Sequence, residues 1–491
     1  MRTVLTRTGT WLNADNGMNN GELAIPSNVT RISRAIRPMS KDGIPQVVYY
    51  QFGVGSRGNV LDKIVGGTTG SGIEENVREA YAFLSNNYSP GDEIILIGFS
   101  RGAFTARSVA GLICEIGMLT KKGLPAFVPI FEDVQHRRDH KYKDKNPTIP
   151  FSNKPNACDP RYREELERRG LTDLDVTVKA IGVWDTVGSL GAPRIGWLTR
   201  VGIQPTQSHE MKFYDTKLSN SIEHAFQALA LDEKRAAFAP AVWEKPRGNT
   251  TVLRQVWFPG VHSNIGGGYD DQQLANITLA WMAAQLSPFL DFRTKYLLAQ
   301  DDAAARYYVK RHETPRPWAF GTIPNSAMGL YALAGTTARC PGTYHAVDPH
   351  TGRVTPRPLR DTCEYVHPSV RARLRLGGPG EADKGKYSAG PLTRAWRLVV
   401  GESEGEDGAP SVVWRPVRGR EVESGAPKVL PESPLWRLER ELCARDPETF
   451  DYVVAPPRTR GRDKAHARRR RSRSRAGGEG RDRSEWRRSV G

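Results

Sequence analysis

A chain of 491 residues with 38% hydrophobic residues is long enough for a large α/β core with additions. It contains no run of 18 apolar residues, which argues against a transmembrane segment, and its five widely spaced cysteines without a C-x-x-C pair argue against a disulfide framework or a zinc site. The net charge of +17 is typical of nucleic-acid binding, but ten of these charges lie between Arg458 and Gly491, so they do not characterise the rest of the chain.

Strands and helices alternate in the first part of the chain. Residues 2–11 predict a first strand, residues 12–30 a loop, and Gln46–Phe52 a second strand. The glycine-rich residues 54–72 predict a segment that lies over the site, and Glu74–Asn87 carries apolar residues at helical spacing. A strand, a helix and a further strand in this order predict a right-handed crossover and a parallel sheet.

The pattern G-x-S-x-G occurs at residues 98–102, directly after the apolar run 93–97 and before small apolar residues at helical spacing. A serine hydroxyl acts as a nucleophile only when a sharp turn holds it exposed beside a base, and Gly98 and Gly102 leave room for such a turn. The structural alternative is that Ser100 only caps the helix that follows.

The middle of the chain continues the alternation after a long insertion. Residues 121–175 predict a polar insertion rich in Lys, Arg and Pro. Strands are predicted at 176–184 and 251–258, and helices at 221–231 and 274–286. The first of these strands is followed by Asp185, and the second by Pro259, Gly260, Val261 and His262.

Three residues stand just beyond predicted strands in the order that hydrolases with this turn use. Ser100, Asp185 and His262 would act as nucleophile, orienting acid and base, and the order Ser, Asp, His along the chain is the expected one. Since the carboxyl ends of parallel strands share one sheet edge, we predict a catalytic triad there. Asp270 and Asp271 are fallback acids, whose alternative roles are to steady a loop or to hold a cation.

Ordinary structural roles are the alternatives for Asp185 and His262. Asp185 would then form a turn or cap a helix, and His262 would be a buried, hydrogen-bonded histidine. His262 is preferred because other histidines stand in less suitable sequence: His224 in a predicted helix, and His345, His350 and His367 in irregular stretches.

An oxyanion hole is the remaining requirement of such a site. It is predicted to use the backbone N–H of Arg101, with Gly9 or Thr10 supplying the second donor from the loop after the first strand. A hydrolase of this design works through its own side chains. We therefore predict no cofactor and no metal.

The patterns weaken beyond about residue 287. Residues 291–457 predict a poorly defined extension, in which 396–400 and 411–414 are isolated strands, and residues 458–491 predict a basic disordered tail. RNA, an anionic lipid surface and a nuclear import receptor are candidate partners for this tail, and a solvated tail without a specific role is the alternative. Because the N-terminus lacks a signal-peptide core, we expect a cytoplasmic location, or a nuclear one through the tail.

Residues 1–290 resemble the α/β-hydrolase catalytic domain of type VI secretion phospholipase effectors and of its uncharacterised, often fungal, relatives. Three strings carry the resemblance: GFSRGAFTAR at 98–107, GVWDTVGSLG at 182–191 and WFPGVHSNIGGGY at 257–269. The resemblance implies the triad Ser100, Asp185 and His262 and the hydrolysis of phospholipid acyl esters.

The chain departs from the pattern of these domains at three positions. The first strand usually ends in Asp-Gly-Thr, but here Thr8 replaces the aspartate and Arg7 stands where an apolar residue is usual. Both changes affect the first strand and the oxyanion loop. Asn264 stands where aspartate is common, which keeps the hydrogen-bonding shape but weakens any cation site or charge pair.

These observations predict an α/β-hydrolase-like fold with a mostly parallel, doubly wound sheet, helices on both faces and a largely irregular C-terminal region. The catalytic domain is expected at 1–290, with 121–175 as its insertion. We predict a serine esterase of the lipase or phospholipase type, acting on an ester or phospholipid substrate. The alternatives are a catalytically impaired binding protein with this fold, a serine hydrolase of non-lipid esters, and a nucleic-acid partner acting through the tail.

Overall fold

The computed structural model describes residues 1–8, 18–19, 22–23, 25–51, 71–139, 142–187, 217–327, 335–347, 354–404, 410–417 and 427–456. Several residues singled out by the sequence lie outside these ranges: the oxyanion candidates Gly9 and Thr10, the glycine-rich residues 54–70, residues 188–191, His350, and the basic tail 458–491.

A parallel sheet of seven strands runs through the described part of the chain. Numbered in chain order, β1–β7 are Arg2–Arg7, Gln46–Gln51, Glu93–Phe99, Val178–Trp184, Ile222–Ala230, Val252–Phe258 and Glu364–Val366. Their spatial order is β2-β1-β3-β4-β5-β6-β7, and every neighbouring pair is parallel. The strand order reverses between β1 and β3, and ligand sites of open α/β sheets form at the carboxyl ends of the strands at such a reversal.

Helices join these strands and cover the sheet. Those before residue 200 are Asn28–Ala35, Ser71–Asn87, Arg101–Ile116, Phe127–His136 and Pro160–Arg168. Those after it are His262–Gly266, Gln273–Leu286, Thr294–Lys310, Pro368–Arg375, Gly390–Thr393, Arg437–Cys443 and Pro447–Val454. No helix within the described ranges combines the length and the apolar character needed to cross a membrane.

The sheet separates two hydrophobic clusters. Successive residues of β3 point to opposite faces, so that Ile94 and Leu96 belong to one cluster and Ile95 and Ile97 to the other. The helices Ser71–Asn87 and Arg101–Ile116 pack on the first face, and Asn28–Ala35 and Gln273–Leu286 on the second. A continuous apolar strand is what burial on both faces requires. The prediction of a doubly wound α/β sheet is confirmed.

The predicted helix at 221–231 is wrong, because Ile222–Ala230 is the strand β5. The segment is rich in alanine, which favours helices in isolation. It pairs with β4 on one side and β6 on the other, and Ala225–Ala230 are buried. Burial and hydrogen bonds to two neighbouring strands outweigh the local helix preference. His224 therefore lies within a strand, with its ring beside Phe289.

The insertion at 121–175 contributes to the core. Its aromatic residues Phe127, Phe131 and Phe151 are buried in the same cluster as the helices Ser71–Asn87 and Arg101–Ile116. The two ends of the insertion are joined where Met118–Leu119 pairs with Thr172–Asp173. The insertion is thus polar in composition, but its aromatic side chains pack against the helices that cover the sheet.

The chain beyond residue 290 supplies both sheet structure and irregular connections. Strand β7 comes from this region, and it pairs with β6 at the edge of the central sheet. The strands expected to be isolated are not so: Trp396–Glu404 pairs with Pro410–Pro416, which pairs with Leu430–Pro431. Two further short pairs are Met18–Asn19 with Glu22–Leu23 and His345–Val347 with Val354–Pro358.

Candidate active site

Ser100 lies in a strained turn between β3 and the helix Arg101–Ile116. Its φ of 59° and ψ of −123° fall in a backbone region that residues other than glycine rarely adopt. Its backbone N–H donates to the carbonyl of Trp184 at 3.1 Å, which ties the turn to the end of β4. A strand, a strained serine and a helix in succession form the arrangement in which a serine hydroxyl is presented at the top of a sheet.

The two glycines of the turn have no space for a side chain. A Cβ on Gly98 would lie 2.5 Å from the carbonyl oxygen of Gly102 and 2.6 Å from Cα of Ala103. A Cβ on Gly102 would overlap the carbonyl oxygen of Arg7. The close approach of strand, turn and helix therefore requires glycine at both positions.

His262 and Asp185 meet across the same sheet edge. Asp185 follows β4, and His262 follows β6 as the first residue of the helix His262–Gly266. Nδ1 of His262 lies 2.7 Å from Oδ2 of Asp185, and both side chains are buried. Since an ionised carboxylate can only accept, Nδ1 carries the proton in this contact, and in the neutral ring Nε2 is then the nitrogen with the lone pair.

The carboxylate of Asp185 is held by four hydrogen bonds. Oδ1 accepts from the backbone N–H of Ala230 at 3.0 Å and from Arg339 at 3.2 Å, and Oδ2 accepts from His262 and from Arg339 at 3.0 Å. Burial alone would raise the pKa of Asp185, but the charge of Arg339 and the hydrogen bond from His262 lower it below its ordinary value. The carboxylate is therefore ionised and fixed in orientation.

Two aromatic rings flank the imidazole of His262. The ring centroid of Phe99 lies 4.6 Å away and that of Phe238 lies 4.8 Å away, the latter edge-on. Phe99 directly precedes Ser100, so this contact places the imidazole beside the strained turn. Rings on two sides restrict the rotation of the imidazole about its Cβ–Cγ bond.

A second buried carboxylate, Glu233, holds the backbone at His262. It accepts the backbone N–H of His262 at 3.1 Å, the guanidinium of Arg235 at 2.8 Å and the hydroxyl of Ser326 at 2.9 Å. Burial opposes its ionisation, but the bonds and charge of Arg235 lower the pKa of Glu233 to about 2. His262 thus binds two carboxylates, and each of these is paired with a guanidinium group.

The family model described as "T6SS, Phospholipase effector Tle1-like, catalytic domain" matches residues 1–285, which is more than half of the chain. The chain belongs to this family. The Tle1-like match includes Ser100, Asp185 and His262, but it ends before Arg339.

Two further similarities accompany the Tle1-like match. The chain is 28% identical over 212 residues to the uncharacterized protein YEL023C of Saccharomyces cerevisiae, a match that covers 40% of this chain and 27% of the yeast protein. This chain therefore spans little more than a quarter of that relative's length. A crystal structure of an uncharacterized protein from Pseudomonas aeruginosa matches 65% of this chain and 51% of its own, with 16% identity and a TM-score of 0.32. At that TM-score, the likeness carries no conclusion.

The three departures from the Tle1-like pattern have clear structural settings. The first strand forms despite Arg7, and it lies between β2 and β3. Thr8 is buried just beyond its end. Asn264 accepts the backbone N–H of Val261 at 3.0 Å and donates to the carbonyl of Thr322 at 3.0 Å. The neutral amide of Asn264 can both accept and donate a hydrogen bond, as these two contacts require.

The fallback acids have other positions and partners. Asp271 accepts the hydroxyl of Tyr308 at 2.6 Å and the backbone N–H of Thr322 at 2.7 Å, and Asp270 is exposed. Asp271 therefore steadies the loop that precedes the helix Gln273–Leu286. Within the described ranges, no three His, Cys, Asp or Glu side chains converge as a metal site needs.

A second histidine also follows a strand of the sheet, which the sequence did not indicate. His367 comes directly after β7 and is completely buried, with Nδ1 2.7 Å from the Ser369 hydroxyl and Nε2 2.8 Å from Glu439. Burial lowers the pKa of His367 well below its ordinary value. His367 is thus the buried, hydrogen-bonded kind of histidine that was the alternative for His262.

Sequence reasoning missed Glu233 and Arg339. Glu233 stands three residues beyond β5, so the correct prediction of that strand would have placed it at the sheet edge. Arg339 lies in a stretch without periodic pattern, far from Asp185 in sequence. Nothing in its local sequence points to the site.

Proposed function

We propose that this protein is a serine-dependent hydrolase of acyl esters, of the phospholipase type, and that Ser100, Asp185 and His262 form its catalytic triad. The observation that carries the proposal is the 2.7 Å hydrogen bond between His262 and Asp185, at the sheet edge where Ser100 occupies a strained turn. The Tle1-like family supports the substrate class.

The proposed reaction begins with proton transfer from Ser100 to His262. Asp185 keeps the imidazole proton on Nδ1, which leaves the Nε2 lone pair to accept the hydroxyl proton. The serine oxygen attacks the acyl carbon, and its former proton then passes from Nε2 to the leaving alcohol. Water, deprotonated by the same nitrogen, releases the carboxylic acid and restores the serine.

Charge on the carbonyl oxygen is stabilised where the helix Arg101–Ile116 begins. The backbone N–H of Arg101 is the first oxyanion donor in this proposal, and the positive end of the helix dipole adds to it. Gly9 or Thr10 remains the proposal for the second donor. Asp185 stabilises the imidazolium of His262. The carboxylate of Glu233, which accepts the backbone N–H of His262, adds negative potential that also favours this cation.

Fluorophosphonate labelling of the full-length protein tests the activated nucleophile. Wild type should be labelled at Ser100, whereas Ser100→Ala and His262→Ala should show no labelling above background. Ser287→Ala is the matched control, because Ser287 is an exposed serine at a helix end, and it should be labelled like wild type. Absence of labelling in folded wild type would overturn the proposal and favour a binding protein with the hydrolase fold.

Substrate assays test the acyl-ester class. Wild type should release fatty acid from phospholipid vesicles and p-nitrophenol from p-nitrophenyl esters, and both products should require Ser100. Labelling of Ser100 together with cleavage of the p-nitrophenyl esters alone would overturn the phospholipase part and leave a serine hydrolase of non-lipid esters.

A further inference from the structure

The backbone N–H groups of residues 260–262, which we call the base loop, all donate to side chains. The acceptors are Oδ2 of Asp232 for Gly260 at 2.7 Å, Oδ1 of Asn264 for Val261 at 3.0 Å and Oε2 of Glu233 for His262 at 3.1 Å. The loop is buried, and backbone N–H groups in the interior need acceptors. Side chains supply those acceptors here, so they also decide where the backbone of the loop lies.

Each of these three side chains also bonds to the chain beyond residue 320. The partners are the hydroxyl of Tyr387 for Asp232 at 2.9 Å, the carbonyl of Thr322 for Asn264 at 3.0 Å and the hydroxyl of Ser326 for Glu233 at 2.9 Å. We call residues 322–326 together with Tyr387 the brace. Every N–H of the base loop is thus linked to the brace through one side chain, and the brace lies outside the part matched by the family model.

The brace has its own contacts with the rest of the fold. Thr322 donates its N–H to Asp271 at 2.7 Å, and the carbonyl of Ile323 accepts from the N–H of Ala382 at 2.7 Å. The side chain of Ile323 is buried in the same hydrophobic cluster as the ring of Tyr387. Because these contacts hold the brace independently of the base loop, the brace can determine the position of the loop.

The ring and the backbone of His262 are held by different groups. Asp185, Phe99 and Phe238 contact the ring, and they fix the direction in which the imidazole points. The distance from Nε2 to Ser100 depends in addition on where the backbone of His262 stands. A displacement of a reacting group by about 1 Å costs on the order of 10²-fold in rate, so this second requirement is as strict as the first.

We propose that the brace positions the catalytic base. Through Asp232, Glu233 and Asn264, it holds the backbone of His262 at the distance from Ser100 that proton transfer requires. The inference rests on the proposed function, which makes His262 the base. The members of the brace are positioning residues, because they act through the base loop and take no proton themselves. Catalysis by this chain therefore depends on residues beyond the matched catalytic domain.

Two substitutions cut the links on the brace side and leave the base-loop side in place. Tyr387→Phe removes the hydroxyl bonded to Asp232, and Ser326→Ala removes the hydroxyl bonded to Glu233. For p-nitrophenyl esters, kcat should fall roughly tenfold in Tyr387→Phe and roughly threefold in Ser326→Ala, with KM unchanged. The second effect is smaller because Arg235 still holds Glu233 with two hydrogen bonds. The double variant should lose more than either single variant.

Tyr162→Phe is the matched control for a lost buried hydroxyl. Tyr162 is buried in the other hydrophobic cluster and donates to Asp133 at 2.7 Å, so its substitution has the same chemistry as Tyr387→Phe but lies away from the base loop. Its kcat should equal that of wild type. An equal fall of kcat in this control would show a general packing effect and overturn the proposal. If Tyr387→Phe fails to fold, Ser326→Ala carries the comparison.

Hydrogen exchange followed by mass spectrometry measures the base loop without using activity. Peptides that span residues 259–266 should exchange faster in Tyr387→Phe and in the double variant than in wild type, but not in Tyr162→Phe. Unchanged exchange would overturn the proposal, as would faster exchange with an unchanged kcat. If wild type cleaves no ester while exchange still rises in the brace variants, the link between brace and loop stands and the hydrolase proposal fails.

Discussion

The guanidinium of Arg339 forms two hydrogen bonds with the carboxylate of Asp185, one to each oxygen, at 3.2 and 3.0 Å. Both side chains are almost fully buried. Arg339 also donates to the carbonyl of Phe238 at 2.8 Å, and the ring of Phe238 packs on His262. A residue beyond the part of the chain matched by the family model therefore orients the acid of the proposed triad.

Replacement of Arg339 should impair both stability and turnover. Arg339→Met leaves the buried carboxylate of Asp185 without its cation, so we expect a loss of about 3–5 kcal/mol in the free energy of unfolding. Because a shift of the imidazole by about 1 Å costs on the order of 10²-fold in rate, kcat should fall by about that factor. Urea unfolding and p-nitrophenyl ester hydrolysis measure the two effects.

Chemical rescue distinguishes orientation of Asp185 from a general packing defect. Guanidinium ion at millimolar concentration should restore part of the kcat of Arg339→Ala, since it can occupy the vacated space and pair with Asp185. Arg437→Met, at an exposed helical position, is the control and should behave like wild type. Equal kcat in wild type and Arg339→Met would remove Arg339 from the site.

Acid stability should report Glu233. Its folded pKa of about 2 lies below the ordinary value of 4.5, so it stabilises the fold above pH 4.5, and this contribution is lost as the pH falls toward 2. The shift corresponds to a free energy on the order of 3 kcal/mol. Glu233→Gln should flatten this part of the stability curve, which urea titrations between pH 2 and 7 would measure. A curve that keeps the wild-type slope would contradict the assignment.

Asp232 should show the opposite pH dependence, although it adjoins Glu233. It accepts from two neutral donors, the N–H of Gly260 and the hydroxyl of Tyr387, and burial raises its pKa to about 6. A raised folded pKa means that stability declines as the pH rises from about 4 through 6. Asp232→Asn should therefore be more stable than wild type at pH 8 but not at pH 4. The exposed substitution Asp270→Asn is the control, and a pH-independent difference for Asp232→Asn would count against this account.

Sequence patterns predicted those parts of the fold in which local and tertiary preferences agree. Three strands are buried on both faces: β3 and the strands that precede Asp185 and His262. Their apolar composition is therefore enough to predict a parallel sheet. Strand β5 was mispredicted because its alanines favour a helix in isolation, while its neighbours in the sheet decide the outcome.

The site was predictable only where a residue adjoins a regular element. Ser100, Asp185 and His262 each follow a strand, and the chain direction of parallel strands brings such positions to one edge. Arg339 reaches Asp185 from an irregular stretch across 154 positions of sequence, and no local pattern encodes that contact.

A single methyl group should test the contact between Phe99 and His262. A Cβ on Gly266 would overlap the ring of Phe99, so Gly266→Ala must displace the ring that packs on the imidazole. We expect a loss of about 1–3 kcal/mol in the free energy of unfolding, as for other overpacked cores, and a lower kcat for p-nitrophenyl esters in the fraction that remains folded. Gly111→Ala is the matched control, because a Cβ there meets nothing within 4 Å and lies on an exposed helical position, so it should stabilise the protein by about 0.5–1 kcal/mol without changing kcat. If Gly266→Ala loses stability but keeps the full kcat, Phe99 does not orient the imidazole, and Asp185 and Phe238 hold it in place without that ring.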